Sequence, residues 1–90
     1  MSEVTDNKDR SRYELVVDGH IAFAAYTMDG EVITFTHTIV PAALQGQGIA
    51  GRLIGAALAD VRARGIKLIP QCSFVRAYLD KHPEEKDLLA

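Results

Sequence analysis

A single cysteine, Cys72, is all the thiol chemistry in this chain of 90 residues, which excludes an intrachain disulfide. With three histidines scattered elsewhere it forms no cluster at metal-ligand spacing, so no metal is expected. Long apolar runs are missing too: none approaches the ~20 residues of a membrane span, and no membrane partner is expected. Basic residues are not in excess. Ten Lys and Arg against twelve Asp and Glu give a net charge of −2 with both signs interspersed, which argues against nucleic acid as a partner. The first eleven residues, Met1 to Ser11, are polar and lack the apolar centre of a signal peptide, which predicts a cytoplasmic protein with a disordered N-terminal tail over 1–11. No internal repeat, low-complexity tract or linker divides the remainder of the chain.

The composition suits one small domain over residues 12–90, its 48% hydrophobic content enough for one modest core. Arg12 to Val17 alternates Tyr13, Leu15 and Val17 with more polar neighbours, apart from Val16, a half-buried strand pattern. Asp18-Gly19 and Asp29-Gly30 then bracket His20 to Met28, each predicting a tight type I′ hairpin because both residues tolerate left-handed dihedrals. The third strand, Glu31 to Val40, is rich in β-branched residues and stops at Pro41, which has no backbone donor. Alternation puts His37 on one face with Ile33, Phe35 and Ile39. The period then changes: Ile49, Leu53, Ile54, Ala57, Leu58 and Val61 recur at helical spacing, and Gly65 is a natural stop. Ile66 to Ile69 reads as a short buried strand ended by Pro70. A last helix from Ser73, a good N-cap, puts Phe74, Val75, Tyr78 and Leu79 on its apolar face and ends at His82-Pro83. The predicted class is α+β, in the order β-β-β-α-β-α, with an antiparallel meander and parallel third and fourth strands.

Gln45-Gly46-Gln47-Gly48-Ile49-Ala50 joins the two halves. Glycines let a backbone approach an anion closely, and the first turn of a helix offers unpaired N–H groups at the positive end of its dipole. Gly46, Gly48 and Gly51 also spell a dinucleotide fingerprint, yet a five-residue loop separates them from the strand and no acidic residue lies between Asp60 and Asp80 to hold a ribose. No Gly-Lys-Ser/Thr follows, so a nucleotide-triphosphate loop is excluded. The plain alternative is that Gly46 and Gly48 only shape a turn.

Gln45-x-x-Gly48-x-Ala50 resembles the acetyl-CoA signature of the GCN5-related N-acetyltransferases. His37-Thr38-x-Val40-Pro41, Pro70-x-Cys72-x-Phe74-Val75, Tyr78 and His82-Pro83-Glu84 narrow the resemblance to the minimal YjdJ-type group, over roughly residues 13 to 89. It implies transfer of an acetyl group from acetyl-CoA to an amine. Backbone amides of Gln47, Gly48, Ile49, Ala50 and Gly51 are the candidate pyrophosphate cradle, and Arg52 either adds charge or is a solvated helix-face residue. In this fold the two parallel strands splay, and unpaired backbone groups of Thr38, Ile39 and Val40, and of Leu68 to Pro70, would bind the pantetheine arm.

For the chemistry, His37 is either the base or a core histidine held by a backbone hydrogen bond. Cys72 is an acyl acceptor, a proton donor to the thiolate, or an inert small hydrophobe. Tyr78 resembles the tyrosine that many members use as general acid, or it packs the helix. Two departures stand out. The group commonly has glutamate where this chain has Ile39, which cannot accept a proton, and proline where it has Ser73. His20 follows a turn and His82 precedes a proline, which fits surface or structural roles. Besides an acetyltransferase with an unidentified amine acceptor, two further possibilities are open: a non-catalytic CoA-binding module or acyl carrier through Cys72, and an interaction domain with a degenerate site. The expected state is a monomer or weak dimer.

Overall fold

The computed structural model describes residues 3–90. Five strands, β1 (Val4–Asn7), β2 (Arg12–Val17), β3 (His20–Asp29), β4 (Val32–Ile39) and β5 (Lys67–Pro70), form one sheet in sequence order. Helices α1 (Ile49–Arg64) and α2 (Ser73–Lys81) flank β5, with 3₁₀ turns at Ala42–Leu44 and Pro83–Leu88. The first four strands are antiparallel, and β4 and β5 run parallel. The expected order therefore holds with one strand added at its start. Val4–Asn7, expected in a disordered tail, instead pairs with β2 from Val4↔Leu15 to Asn7↔Arg12; Met1 and Ser2 lie outside the described residues.

The two tight turns differ. Asp18 and Gly19 both have positive φ, 50° and 77°, as a type I′ turn between Val17 and His20 requires. Asp29 pairs with Val32, so the second loop is Gly30-Glu31, and only Gly30 has positive φ. That is the II′ pattern, which needs glycine at its first central position alone; the expected I′ turn at Asp29-Gly30 is corrected accordingly.

Ala22, Ala24 and Tyr26 make the buried face of β3, while Phe23 and Ala25 on its other face are half-buried. Both helices cover that face, and Leu53, Ile54, Ala57, Leu58 and Val61 of α1 join Val75 and Leu79 of α2 in one core with Leu15, Ile33, Phe35 and Leu68. Phe74 points to solvent, at 37% exposure, which removes it from the expected apolar face of α2. Gly65 closes α1 at φ 68°, its N–H bonding Arg62 and the next N–H bonding Val61, a Schellman arrangement. The C-terminus seals the outer edge of β5: Leu89 bridges Leu68, and Ala90 N–H donates to the Leu68 carbonyl at 2.9 Å. Among the described residues the opposite sheet face carries no helix, and it exposes Val16, Ile21, Ile39 and Ile69.

Polar contacts dock β1 on α1. Arg52, Ala56, Asp60 and Arg64 recur every fourth residue, so they form one row along the helix. Arg52 pairs with Glu3, and Arg64 pairs with Asp6 at 2.6 Å and with Asp60 at 3.0 Å. Tyr13 donates to Asp60 and Tyr26 to Asp6, each at 2.6 Å. Burial first, and then the bonded carboxylate, push both phenols far above their ordinary value of 10.0. A cavity of about 340 Å³ opens beside this network, lined by Val4, Asp6, Tyr13, Ala56, Ala59, Asp60 and Arg64.

Removing Asp6 strands the Tyr26 hydroxyl and takes one partner from Arg64. Asp6→Ala is expected to cost about 1–3 kcal/mol in denaturant unfolding and to strip hydrogen-exchange protection from Val4–Asn7 before the rest of the sheet; unchanged protection there would show that the network does not hold β1. The phenols give a second prediction. Because the folded state keeps their protons above the pH at which an unfolded phenol, ordinary value 10.0, gives them up, the associated stability is full below that pH and is lost as pH rises beyond it. Absorbance titration should find Tyr78, pushed up less, ionising first, with Tyr13 and Tyr26 following only as circular dichroism reports unfolding. Three phenols ionising together near 10.0 in a folded protein would contradict this.

Candidate functional site

The loop from β4 to α1 is built to leave amides free. Leu44 is buried and pins the 3₁₀ turn, whose Leu44 N–H bonds the Pro41 carbonyl at 2.9 Å. Gln45 then reaches back with its side-chain amide to the Val40 carbonyl at 3.2 Å, and Gln47 does the same to Ala43 at 3.3 Å. Gly46 and Gly48 follow at φ 82° and 71°, conformations that a Cβ would strain although neither would meet a neighbour. Gly48 is the N-cap of α1 and supplies no side-chain cap. The first amide with an intrahelical partner is that of Arg52, which bonds the Gly48 carbonyl at 3.2 Å. Gly48, Ile49, Ala50 and Gly51 thus present N–H groups at the positive end of a sixteen-residue helix. These amides fit a diphosphate: the loop is exposed, nothing caps it, and open space surrounds Gly46, Gly48 and Gly51. Beside them the Arg52 guanidinium forms an exposed ion pair with Glu3 at 2.8 Å.

Beside the loop, β4 outruns β5. Their pairing stops at Phe35↔Pro70, and the last main-chain link is Cys72 N–H to the Phe35 carbonyl at 2.9 Å. From Thr36 onward β4 has a strand partner only on its β3 side. Thr38, Ile39 and Val40, expected to offer backbone groups, lie on this unpaired edge, and Val40 has already given its carbonyl to Gln45.

A bulge in β4 reverses its faces here. Tyr26 pairs with Phe35 but Ala25 pairs with His37, which leaves Thr36 as an extra residue. Directly paired residues share a face. His37 and Ile39 therefore sit with Ala25 and Phe23 on the open side, and Thr38 turns in beside buried Ala24. The expectation that His37 shares a row with Ile33 and Phe35 is corrected: strict alternation does not survive the inserted residue. His37 is exposed, edge-on to Phe23 at 6.2 Å, with Nδ1 3.2 Å from the Thr36 hydroxyl. That hydroxyl also donates to the Ala25 carbonyl, so it accepts from Nδ1–H, an assignment that leaves Nε2 with the lone pair in the neutral ring.

On the helix side, Thr38 and Cys72 share a hydrogen bond of 3.2 Å between Oγ1 and Sγ. Cys72 is only 5% exposed, and it, rather than the expected Ser73, is the N-cap of α2. The structure brings Thr38 to Cys72 across the gap beyond β5, and it separates both from the His37 ring by the thickness of the sheet. Tyr78 is half-buried, stacked on His82 at 4.2 Å, and burial followed by nearby Glu85 and Glu84 holds its phenol above the ordinary value. Among the described residues its hydroxyl has no protein hydrogen-bond partner, whereas Tyr13 and Tyr26 each bond a carboxylate. Sequence reasoning missed Thr36, whose bulge leaves no mark in the hydrophobic pattern, and Gly55, one of two glycines inside a helical stretch. No group of three or more His, Cys, Asp and Glu side chains among the described residues is placed to hold a metal ion.

The chain matches a solution structure of a GCN5-like candidate N-acetyltransferase from Staphylococcus aureus with a TM-score of 0.74 and 26% identity, over 100% of this chain and 91% of that one. The family model described as GCN5-related N-acetyl-transferase matches residues 12–88, from the start of β2 to the end of the last 3₁₀ turn. By that match the chain belongs to the GCN5-related N-acetyltransferase family.

Proposed function

We propose that this protein transfers an acetyl group from acetyl-CoA to an amine, with the cofactor's diphosphate on the first turn of α1 and its arm along the unpaired edge of β4. The observation that carries this reading is the juxtaposition of four uncapped helix amides with a strand edge that has lost its partner. Acetyl-CoA, when bound, supplies an acetyl group activated as a thioester. Every other task falls to the chain. Amides of Gly48 to Gly51 hold the diphosphate, a contact worth about 0.3–2 kcal/mol from the dipole, so the β4 edge must add affinity.

Beyond Phe35 and Pro70 the two strands no longer pair, and the chain's candidate acid and base lie on opposite faces of the sheet. On the open side, His37 Nε2 is free to take the proton that the amine gives up as its new N–C bond forms. On the helix side, Tyr78 keeps a proton for the departing sulfur as the C–S bond breaks, and the phenol is refilled from solvent. Cys72 is a poorer acyl acceptor than donor or wall residue, because it is buried and already bonded to Thr38. A second reading, a non-catalytic binder of CoA, is favoured by Ile39: it is 46% exposed on the open face beside Phe23 and offers no carboxylate.

Calorimetric titration with acetyl-CoA, with CoA and adenosine diphosphate as comparisons, tests binding, and thiol release with an amine panel separates the two readings. In Gly48→Asp the side chain is strained at φ 71° and its carboxylate occupies and repels the diphosphate position, so affinity should fall about tenfold or more. Gly48→Ala should cost about 1–2 kcal/mol of stability at φ 71° and retain most affinity. Equal affinity in wild type and a folded Gly48→Asp would reject the cradle. Because the Tyr78 phenol is held above its ordinary 10.0, turnover should show no alkaline loss below that pH, and Tyr78→Phe should lower kcat without weakening acetyl-CoA binding. A Tyr78→Phe variant with full kcat would remove Tyr78 from the chemistry.

A further inference from the structure

Tyr78 is gripped from two sides. Toward α1 it meets Gly55: a methyl group built there would lie 3.0 Å from the Tyr78 hydroxyl oxygen and 3.8 Å from the carbon bearing it. The only glycine in the interior turns of α1 whose added Cβ would touch another element is this one, since Gly51 faces open space. Glycine costs a helix interior about 1 kcal/mol relative to alanine, and here its small size admits a phenol.

On its other side the Tyr78 ring stacks on His82, four residues on, with ring centroids 4.2 Å apart and planes 27° from parallel. His82 is itself constrained. Its N–H bonds the Tyr78 carbonyl at 2.9 Å, and Pro83 bars it from continuing the helix, leaving it at φ −128° and ψ 67°. Its Nδ1 lies 3.4 Å from a Glu84 carboxylate oxygen. The phenol therefore lies between a helix with a gap in its side-chain surface and a stacked imidazole whose backbone is fixed at the helix end. Its oxygen stands beside α1 at Gly55, six residues or about 9 Å along the axis from Ile49, where the free amides begin.

We propose that Gly55 and His82 are positioning residues for Tyr78: Gly55 opens the place that the hydroxyl occupies against α1, and the His82 ring fixes the phenol in it. This rests on the acetyltransferase reading above. Neither residue touches the reacting atoms, so their effect is on the rate of the step that uses the phenol proton and not on the cradle. A methyl group at Gly55 pushes the hydroxyl outward by a few tenths of an ångström, toward the side where the imidazole is stacked.

The test compares Gly55→Ala, His82→Ala and His82→Phe with wild type, using acetyl-CoA binding by calorimetry and thiol release with the best acceptor from the amine panel. Gly55→Ala and His82→Ala should lower kcat about tenfold, less than the loss for a full ångström of misplacement, with the acetyl-CoA dissociation constant unchanged. His82→Phe, which keeps a flat ring but loses the imidazole, should recover most of the rate. Full kcat in Gly55→Ala, or a His82→Phe variant no better than His82→Ala, overturns this inference alone. Wild-type protein that releases no thiol with any amine overturns it together with the reading it rests on.

Discussion

The parallel pairing of β4 with β5 lasts four residues, and that brevity governs the molecule's functional end. Pro70 has no N–H to continue the ladder, and three residues later the chain enters α2. β4 meanwhile runs on, held by β3 alone, into the loop that delivers the first turn of α1. One mismatch in strand length thus places an unpaired strand edge, an uncapped helix terminus and the Cys72 junction side by side. Backbone polar groups demand partners when buried, so such a group of free donors and acceptors persists only at a surface, where solvent or a ligand completes them.

The bulge at Thr36 adds a second consequence. It turns His37 and Ile39 to the open face and Thr38 to the helix face, so the gap is flanked by different chemistry on its two sides. At the far end of α1 the logic is different. There the sheet is closed by short hydrogen bonds and ion pairs among Asp6, Asp60, Arg64 and two tyrosines, where partial burial has raised the phenols. The apolar core between these ends is continuous, and its small residues Ala22, Ala24 and Ala57 let α1 lie close to the sheet.

Most of the architecture was legible because it obeys period. The α1 stripe of Ile49, Leu53, Ile54, Ala57, Leu58 and Val61 is buried as its spacing predicts, and Gly65 ends the helix in the conformation that favours glycine. The features that escaped are those that period cannot carry. Val4–Asn7 has one aliphatic residue and is held by pairing and by Asp6, so its composition reads as a tail. The face of His37 depends on one inserted residue, and Gly30-Glu31 replaces Asp29-Gly30 because register, not composition, decides which residues turn. For the site, the cradle residues were visible as a motif, but the pairing of Arg52 with Glu3 and the stack of His82 on Tyr78 join distant or differently structured segments.

The most direct test of where the cofactor lies is backbone amide chemical-shift mapping of the full chain during titration with acetyl-CoA. The largest shifts should fall on Gly46 to Arg52 and on the β4 edge from Thr36 to Val40, with Cys72 and Tyr78 moving as well and β1 and β2 silent. Shifts concentrated instead on Asp6, Tyr13, Asp60 and Arg64, around the cavity beside β1, would contradict that placement.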